Sequence, residues 1–209
     1  MFEKERFGFD DSEFRILRRL NTPAKIQDFL NSLKINFEEK GDTCMSPRMV
    51  LRERKAHCAE GAIFAAAVLR IHGFEPLIVD MEATGDDYDH MIAVFQQNGF
   101  WGAIGKTNHA VLRYREPIYR DIRELVMSFF HEYFLNSNGK KTLRTFSKPV
   151  NLQRFDKFNW MTSDEEVWFI PEHLTTIPHE KILTRGQIRG LRGADEIERR
   201  AGGIVEYKN

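Results

Sequence analysis

The stretch from Cys58 to Ile71, CAEGAIFAAAVLRI, is apolar on nearly every side of the helix that it predicts. Alanine and leucine favour a helix, and Gly73 just beyond the stretch is a typical helix end. A helix that is apolar all round has no face suited to water, so it has to be buried. The rest of the chain must therefore supply the layers that cover a central helix.

The residues that follow predict an antiparallel sheet. Residues 76–81, PLIVDM, form a short apolar run between turn residues, which is typical of a strand. Residues 89–97 and 100–106 flank Asn98-Gly99, and this dipeptide strongly indicates a two-residue hairpin turn. Helices before and after a sheet, without regular alternation, indicate an α+β fold.

Shorter signals predict the remaining elements. Thr22-Pro23 and Ser46-Pro47 are typical pairs of an N-cap residue and a first helical residue, so we expect helices to begin there. Glu116-Pro117 predicts the start of a long helix that runs to residue 134. Residues 165–170, EEVWFI, predict a strand, and residues 194–200 predict a short helix.

The length and the apolar content suit one domain. The chain has 209 residues, of which 42% are hydrophobic, and this is enough to form a single buried core. We expect a core over about residues 46–135. An N-terminal helical part over residues 1–45 and a C-terminal extension over residues 136–209 would complete the domain.

The charge balance bears on possible partners. The 31 lysines and arginines offset 31 aspartates and glutamates, so the basic excess typical of nucleic-acid binders is missing. No apolar run approaches the roughly 18 residues that a membrane span needs. Two cysteines do not require an oxidising compartment. The sequence predicts a cytoplasmic protein without a nucleic-acid or membrane partner, and it leaves the oligomeric state open.

Cys58 is the first candidate for chemistry. It begins the central helix, where unpaired backbone N–H groups and the helix dipole favour an anion. A thiol in that position tends to lose its proton, and the thiolate is the reactive form. A structural role is an equal alternative, because free cysteines are among the most buried residues. The second cysteine, Cys44, is expected to stay outside any such site as a free thiol.

His90 stands at the start of the first hairpin strand. A turn at Asn98-Gly99 places His90 opposite Thr107, and it places His90 and Gly105 on the same face of the sheet. From the start of a strand, an imidazole can reach past the sheet edge toward a helix N-terminus. Cys58 and His90 would then form a thiolate–imidazolium pair, with the sulfur roughly 3–5 Å from a ring nitrogen.

The segments Cys58-Ala59-Glu60-Gly61-Ala62 and Leu69-Arg70-Ile71-His72-Gly73-Phe74 resemble the core of the transglutaminase-like superfamily. In that superfamily a nucleophilic cysteine opens a buried helix, and a histidine follows about thirty residues later, before a hairpin. Here His90 lies 32 residues after Cys58, and Trp101 matches the aromatic residue that commonly begins the next strand. The resemblance covers about residues 46–106. It implies a papain-like α+β core and cysteine chemistry on amides, that is, proteolysis, amide hydrolysis or acyl transfer.

The sequence departs from the superfamily at the third member of the site. The resemblance implies an aspartate about fifteen residues after the histidine, where it would orient the imidazole. That position is Gly105, which has no side chain. Asn108 and Asp80 are the best substitutes, although Asn108 needs a bulge in the strand to turn inward. The nearby Thr107 and Asp89 are weaker ones, and loss of activity is the alternative.

The sequence therefore predicts a cysteine-dependent hydrolase or acyltransferase that acts on amide bonds of a peptide-like substrate, without a cofactor or a metal. An inactive module that binds a peptide or peptide-like ligand in the same cleft is the alternative. Zinc-dependent hydrolysis is a third hypothesis, but Cys44, His57, Cys58 and His109 lack the spacing of a zinc motif.

Overall fold

The computed structural model describes residues 7–39 and 41–208. It has an α+β fold in which helices pack against an antiparallel sheet. The helices are α1 (Asp11–Arg19), α2 (Pro23–Asn31), α3 (Pro47–Glu53), α4 (Cys58–Ile71), α5 (Ile122–Met127), α6 (Phe169–Thr176), α7 (Arg185–Arg189) and α8 (Glu196–Gly202). The strands are β1 (Lys34–Ile35), β2 (Lys55–Ala56), β3 (Leu77–Glu82), β4 (His90–Gln97), β5 (Phe100–Ile104), β6 (Arg115–Tyr119), β7 (Thr145–Ser147), β8 (Val150–Asn151) and β9 (His179–Lys181). Short 3-10 helices cover Phe130–Glu132 and Leu152–Phe158.

Helix α4 lies at the centre of the fold, as its composition predicts. Its side chains from Ala62 to Leu69 are all buried. One side of the helix packs against β4, while α1, α2 and α3 contact its other sides. The helix ends at Ile71, and Gly73 just beyond it has a φ of +88°, which lets the next amide turn back to the Leu69 carbonyl. Neither α4 nor any other helix in the described part of the chain is long and apolar enough to cross a membrane.

The main sheet has the strand order β6-β5-β4-β3-β7-β9, and β8 pairs with the other end of β3. Every pairing in it is antiparallel. The predicted hairpin register is confirmed from Gln97 opposite Phe100 to Ala93 opposite Ile104. Both turn residues, Asn98 and Gly99, have positive φ, as a two-residue hairpin turn requires. The hairpin thus fixes β4, the strand that begins with His90.

Two predicted helix starts are confirmed by their caps. Thr22 Oγ1 accepts a hydrogen bond from the Lys25 amide, and Pro23 is the first residue of α2. Ser46 Oγ accepts one from the Met49 amide at the start of α3. In each case the hydroxyl satisfies an amide that lacks a partner in the first helical turn.

The long helix predicted from Glu116-Pro117 to residue 134 is wrong. Strand β6 contains Pro117, and the helix that follows begins after Asp121, whose Oδ1 accepts a hydrogen bond from the Glu124 amide. Strand β6 lies at the edge of the sheet, and a proline is tolerated on an edge strand because it has no N–H to offer a neighbour. Proline therefore marks this edge strand and not a helix start.

The strand predicted over residues 165–170 is also wrong. The chain there runs into α6, and the buried side chains are Val167, Ile170 and Leu174. Their spacings of three and four residues follow the helical period, while a strand would bury every second residue. The helix predicted over residues 194–200 is present as α8, shifted by two residues because Asp195 caps it.

Candidate active site

A cavity of about 440 Å³ opens where α4 and β4 begin. Cys58 and His90, the first residues of these two elements, both line it. Asn108, Tyr133 and Gly202 form other parts of its wall. The cavity therefore brings together the helix-start cysteine and the strand-start histidine that the sequence singles out.

Cys58 is half-buried, and its side chain interacts with two imidazoles, those of His57 and His90. Burial by itself would raise the pKa of the thiol. The interactions with His57 and His90, including their positive charges, outweigh burial and lower the pKa to about 5. At neutral pH the thiolate is therefore the main form of Cys58, and the thiolate is the nucleophilic form.

The imidazole of His90 interacts with Cys58, but its Nε2 has no partner among the described residues. His90 is 6% exposed, and its Nε2 is buried. A Cβ placed on Gly105 would lie 3.5 Å from this Nε2 and 3.5 Å from Cγ2 of Ile92. Gly105 thus faces the ring at the place where a third catalytic group would stand.

The backbone of Gly105 is held from the opposite side by α2. Gln27 Nε2 donates to the Gly105 carbonyl at 2.8 Å, and the Gly105 amide donates to Gln27 Oε1 at 3.1 Å. The buried side-chain amide of Gln27 thus satisfies the N–H and the carbonyl of Gly105, which a neighbouring strand would otherwise satisfy. Sequence reasoning missed Gln27, because a glutamine on a helix gives no signal of a partner 78 residues away.

The proposed substitutes for the missing aspartate are engaged elsewhere. Asn108 Nδ2 donates to the Tyr207 carbonyl, and Asn108 Oδ1 accepts from the Tyr207 amide, each at 2.9 Å. Asp80 lies 3.2 Å from Nε2 of His179. The Thr107 hydroxyl accepts from the His109 amide, and the Asp89 carboxylate accepts from the Ala83 amide. The structure brings none of the four to Nε2 of His90.

Asp80 belongs to a separate cluster with Glu82 and His179. Their ligand-type atoms lie within 4.8 Å of one another, so the three side chains have the composition of a metal site. Both ring nitrogens of His179 already have partners, Asp80 for Nε2 and the Ile177 carbonyl for Nδ1. Hydrogen bonds and ion pairing account for the arrangement.

The zinc hypothesis finds no support in the described residues. Their one group of three or more metal-type side chains contains neither cysteine. Cys44 is a buried free thiol, and burial, together with the negative charge of Glu60, raises its pKa to about 12. Cys44 therefore keeps its proton at neutral pH, while the lowered pKa of Cys58 favours the thiolate.

His57 is the residue of this site that sequence reasoning overlooked. It caps α4, since its Nδ1 accepts a hydrogen bond from the Ala59 amide, and Glu60 reaches back to the His57 amide. Burial would lower the pKa of this imidazole. Contact with Cys58 and Glu60 and a hydrogen bond to the Thr43 carbonyl raise it to about 9. The signal was available, because Glu60 follows His57 at the spacing of a capping box.

Glu60 holds the loop before α3 around the start of α4. Its side chain is fully buried. The carboxylate accepts hydrogen bonds from the Asn36 side chain, the Thr43 hydroxyl and the amides of Met45 and His57. These donors compensate for removing the charge from water. The buried carboxylate thus fixes the surroundings of both His57 and Cys58.

Asp80→Asn is expected to leave the reactivity of Cys58 unchanged and to remove a pH dependence of stability. Burial and the charge of Asp89 raise the pKa of Asp80 to about 6, although His179 opposes this. In the unfolded chain the pKa is about 4. Between about pH 4 and 6 the folded state therefore binds more protons, and the free energy of unfolding falls by roughly 2 kcal/mol as the pH rises.

Urea unfolding at several pH values measures this loss in the wild type and its absence in Asp80→Asn. Alkylation of Cys58 in the same two proteins gives the second readout. Slower alkylation in the variant would show that Asp80 does act on the site.

Comparisons with known proteins do not assign this site. No protein-family model matches the chain, and no curated protein matches its sequence. The chemistry has to be inferred from the cavity, the thiol and the two imidazoles themselves.

Proposed function

We propose that the protein is a cysteine-dependent hydrolase or acyltransferase that acts on amide bonds of a peptide-like substrate. The observation that carries this proposal is the Cys58 thiol, which contacts two imidazoles at the wall of an open cavity and has its pKa lowered to about 5. A structural cysteine would have a raised pKa in an apolar setting, as Cys44 does. A lowered pKa in a cleft is typical of a nucleophile.

The proposed reaction uses the thiolate, the helix start and His90 in turn. The Cys58 thiolate attacks the carbonyl carbon of the substrate, and backbone N–H groups at the start of α4 stabilise the oxyanion. The C–N bond then breaks, and the protonated imidazole of His90 gives its proton to the departing nitrogen. Water or an amine attacks the resulting thioester while His90 accepts its proton, and this releases the product and the thiolate.

We propose that the protein has a transglutaminase-like core. A cysteine at the start of a buried helix and a histidine at the start of the next hairpin support it. The cytoplasm is the compartment that we propose, because two free thiols, one of them reactive, suit reducing conditions.

A binding module without catalysis is the second candidate. It is favoured by the unpartnered Nε2 of His90 and by the glycine that faces it. An imidazole without an orienting group samples more than one tautomer and rotamer, which weakens proton transfer. In this case the cavity would bind a peptide-like ligand without cleaving it.

Alkylation by iodoacetamide at a series of pH values tests the nucleophile. We expect the labelling rate of Cys58 to rise with pH around a midpoint near 5 and then to level off, because the thiolate forms there. Peptide mapping separates Cys58 from the buried Cys44, which should stay unlabelled in the folded protein. A midpoint near the ordinary thiol value of about 8.5 would remove the basis of the proposal.

An activated ester such as p-nitrophenyl acetate separates the two candidates. The enzyme should release a burst of nitrophenol and carry an acetyl group on Cys58, and Cys58→Ser should give no burst. His90→Asn should acylate but release the acetyl group much more slowly, because no imidazole then activates water. A reactive thiolate that is never acylated would favour the binding module.

A further inference from the structure

The ring of His57 is fixed by acceptors at its far nitrogen. Nε2 lies 2.8 Å from the Thr43 carbonyl oxygen, 3.4 Å from Oε1 of Glu60 and 3.6 Å from Oε1 of Glu38. A carbonyl oxygen only accepts, so Nε2 carries a hydrogen whether the ring is neutral or charged. The nitrogen that gains or loses a proton is therefore Nδ1.

Nδ1 of His57 lies on the side of the reactive sulfur. It is 3.2 Å from the Ala59 amide nitrogen, and the His57 ring interacts with the Cys58 side chain. In the neutral ring the lone pair of Nδ1 accepts a hydrogen bond from the Ala59 amide at 3.2 Å, and the same lone pair can take the thiol proton of Cys58 in place of that hydrogen bond. The two carboxylates at the far side of the ring then face the positive charge.

The positive charge of His90 also lowers the pKa of Cys58, but the ring of His90 has less support for that charge than the ring of His57. Its Nε2 is buried and unpartnered, so a charged His90 would hold a buried N–H without an acceptor. A buried donor left unsatisfied is costly, and more so when the group is charged. Of the two imidazoles beside Cys58, His57 therefore has the better support for a proton taken from the sulfur.

We propose that His57 accepts the proton of Cys58 and keeps the sulfur as a thiolate, while His90, protonated from water in the cavity, gives its proton to the departing nitrogen and regains one from the attacking water or amine. The S–H bond of Cys58 breaks, an N–H bond forms at Nδ1 of His57, and the resulting imidazolium faces Glu60 and Glu38. This inference rests on the proposed function for the role of His90, but the proton transfer itself needs no substrate. The charged groups of the site would thus lie in one helical turn: the imidazolium of His57, the thiolate of Cys58 and the carboxylate of Glu60.

Other charged groups surround the cavity that Cys58 lines. Asp87, Asp89, Lys106, His109 and Glu132 line the cavity. Lys106 Nζ is bound to the Leu33 carbonyl, and Glu132 is paired with Arg115. These groups stay the same in the variants below, so a difference between the variants reports on the two imidazoles.

The test compares His57→Asn with His90→Asn. Asparagine is a strong N-cap residue, so His57→Asn removes the imidazole while it keeps a side-chain acceptor for the first turn of α4. The thiolate is followed by its ultraviolet absorbance and by the rate of iodoacetamide labelling as a function of pH. Circular dichroism and urea unfolding check that both variants fold.

We expect the midpoint of thiolate formation to move from about 5 toward the ordinary value of about 8.5 in His57→Asn. Labelling at about pH 6 should then slow by on the order of a hundredfold. His90→Asn should move the midpoint by less than half as much. A larger shift in His90→Asn than in His57→Asn, or no shift in His57→Asn, overturns the proposal.

Glu38→Gln keeps the test decisive if His57→Asn does not fold. Glutamine retains the side-chain oxygen that accepts from the Thr43 amide, but it removes one negative charge that faces His57. The thiolate midpoint should rise by up to about one pH unit, because the imidazolium loses support. An unchanged midpoint in Glu38→Gln, together with a misfolded His57→Asn, counts against the proposal.

The two proposals fail in different ways. The thiolate measurements use no substrate, so a protein that forms the His57-dependent thiolate but never becomes acylated contradicts the proposed function alone. A protein that turns over the ester with an unchanged thiolate midpoint in His57→Asn contradicts the role of His57 alone.

Discussion

Replacing Gly105 by asparagine is expected to raise the rate of ester turnover by on the order of tenfold or more, because it supplies the missing partner of His90. A Cβ at this position would lie 3.5 Å from Nε2 of His90 and 3.4 Å from the Leu112 carbonyl oxygen, which are ordinary contact distances. The amide oxygen can accept from the imidazole N–H, and the amide nitrogen can donate to Leu112. The ring would then keep one tautomer and one orientation.

Gly105→Ala is the matched control. It adds the same Cβ without a polar group, and the backbone stays held by Gln27 in both variants. Steady-state and burst kinetics with p-nitrophenyl acetate give the comparison. Equal rates in the alanine and asparagine variants would show that the lack of an orienting group does not limit the reaction.

Gly61→Ala is expected to lower the free energy of unfolding by about 2–3 kcal/mol, although alanine favours a helix more than glycine does. A Cβ on Gly61 would lie 2.4 Å from Cβ of Lys106, far inside contact distance. Lys106 cannot easily move aside, because its side chain is buried and its Nζ donates to the Leu33 carbonyl at 2.7 Å. The helix α4 and the end of the hairpin would therefore be pushed apart.

Gly85→Ala makes the same chemical change where nothing lies within 4 Å of the added Cβ. Urea unfolding of the two variants beside the wild type isolates the effect of the contact. Stability loss of similar size in both variants would mean that the close approach of Gly61 to Lys106 is not the cause.

The parts of the fold that the sequence predicts are those set by local chemistry. The apolar composition of residues 58–71 required a buried helix, and the turn at Asn98-Gly99 determined the hairpin register. The wrong predictions concern segments whose secondary structure depends on their position in the tertiary fold. Pro117 belongs to an edge strand, and Val167 and Ile170 are buried with a helical spacing in a segment that is rich in β-forming residues.

The candidate site divides in the same way. The contact between Cys58 and His90 could be anticipated from a helix start and a strand start. The partners of Asn108 and Asp80 could not, because Tyr207 and His179 each lie 99 residues further along the chain. The capping pattern of His57 and Glu60 was visible in the sequence, but the direction of the imidazole depends on the loop that carries Thr43.

The pairing of Asn108 with Tyr207 has a consequence for protein synthesis. Cys58, His57 and His90 are all translated well before Tyr207, and 99 residues separate Asn108 from its partner. The wall of the cavity that includes Gly202 and Asn108 cannot close until that late segment has left the ribosome. In a nascent chain the side chain of Cys58 is therefore less enclosed than in the folded protein until the late segment has docked.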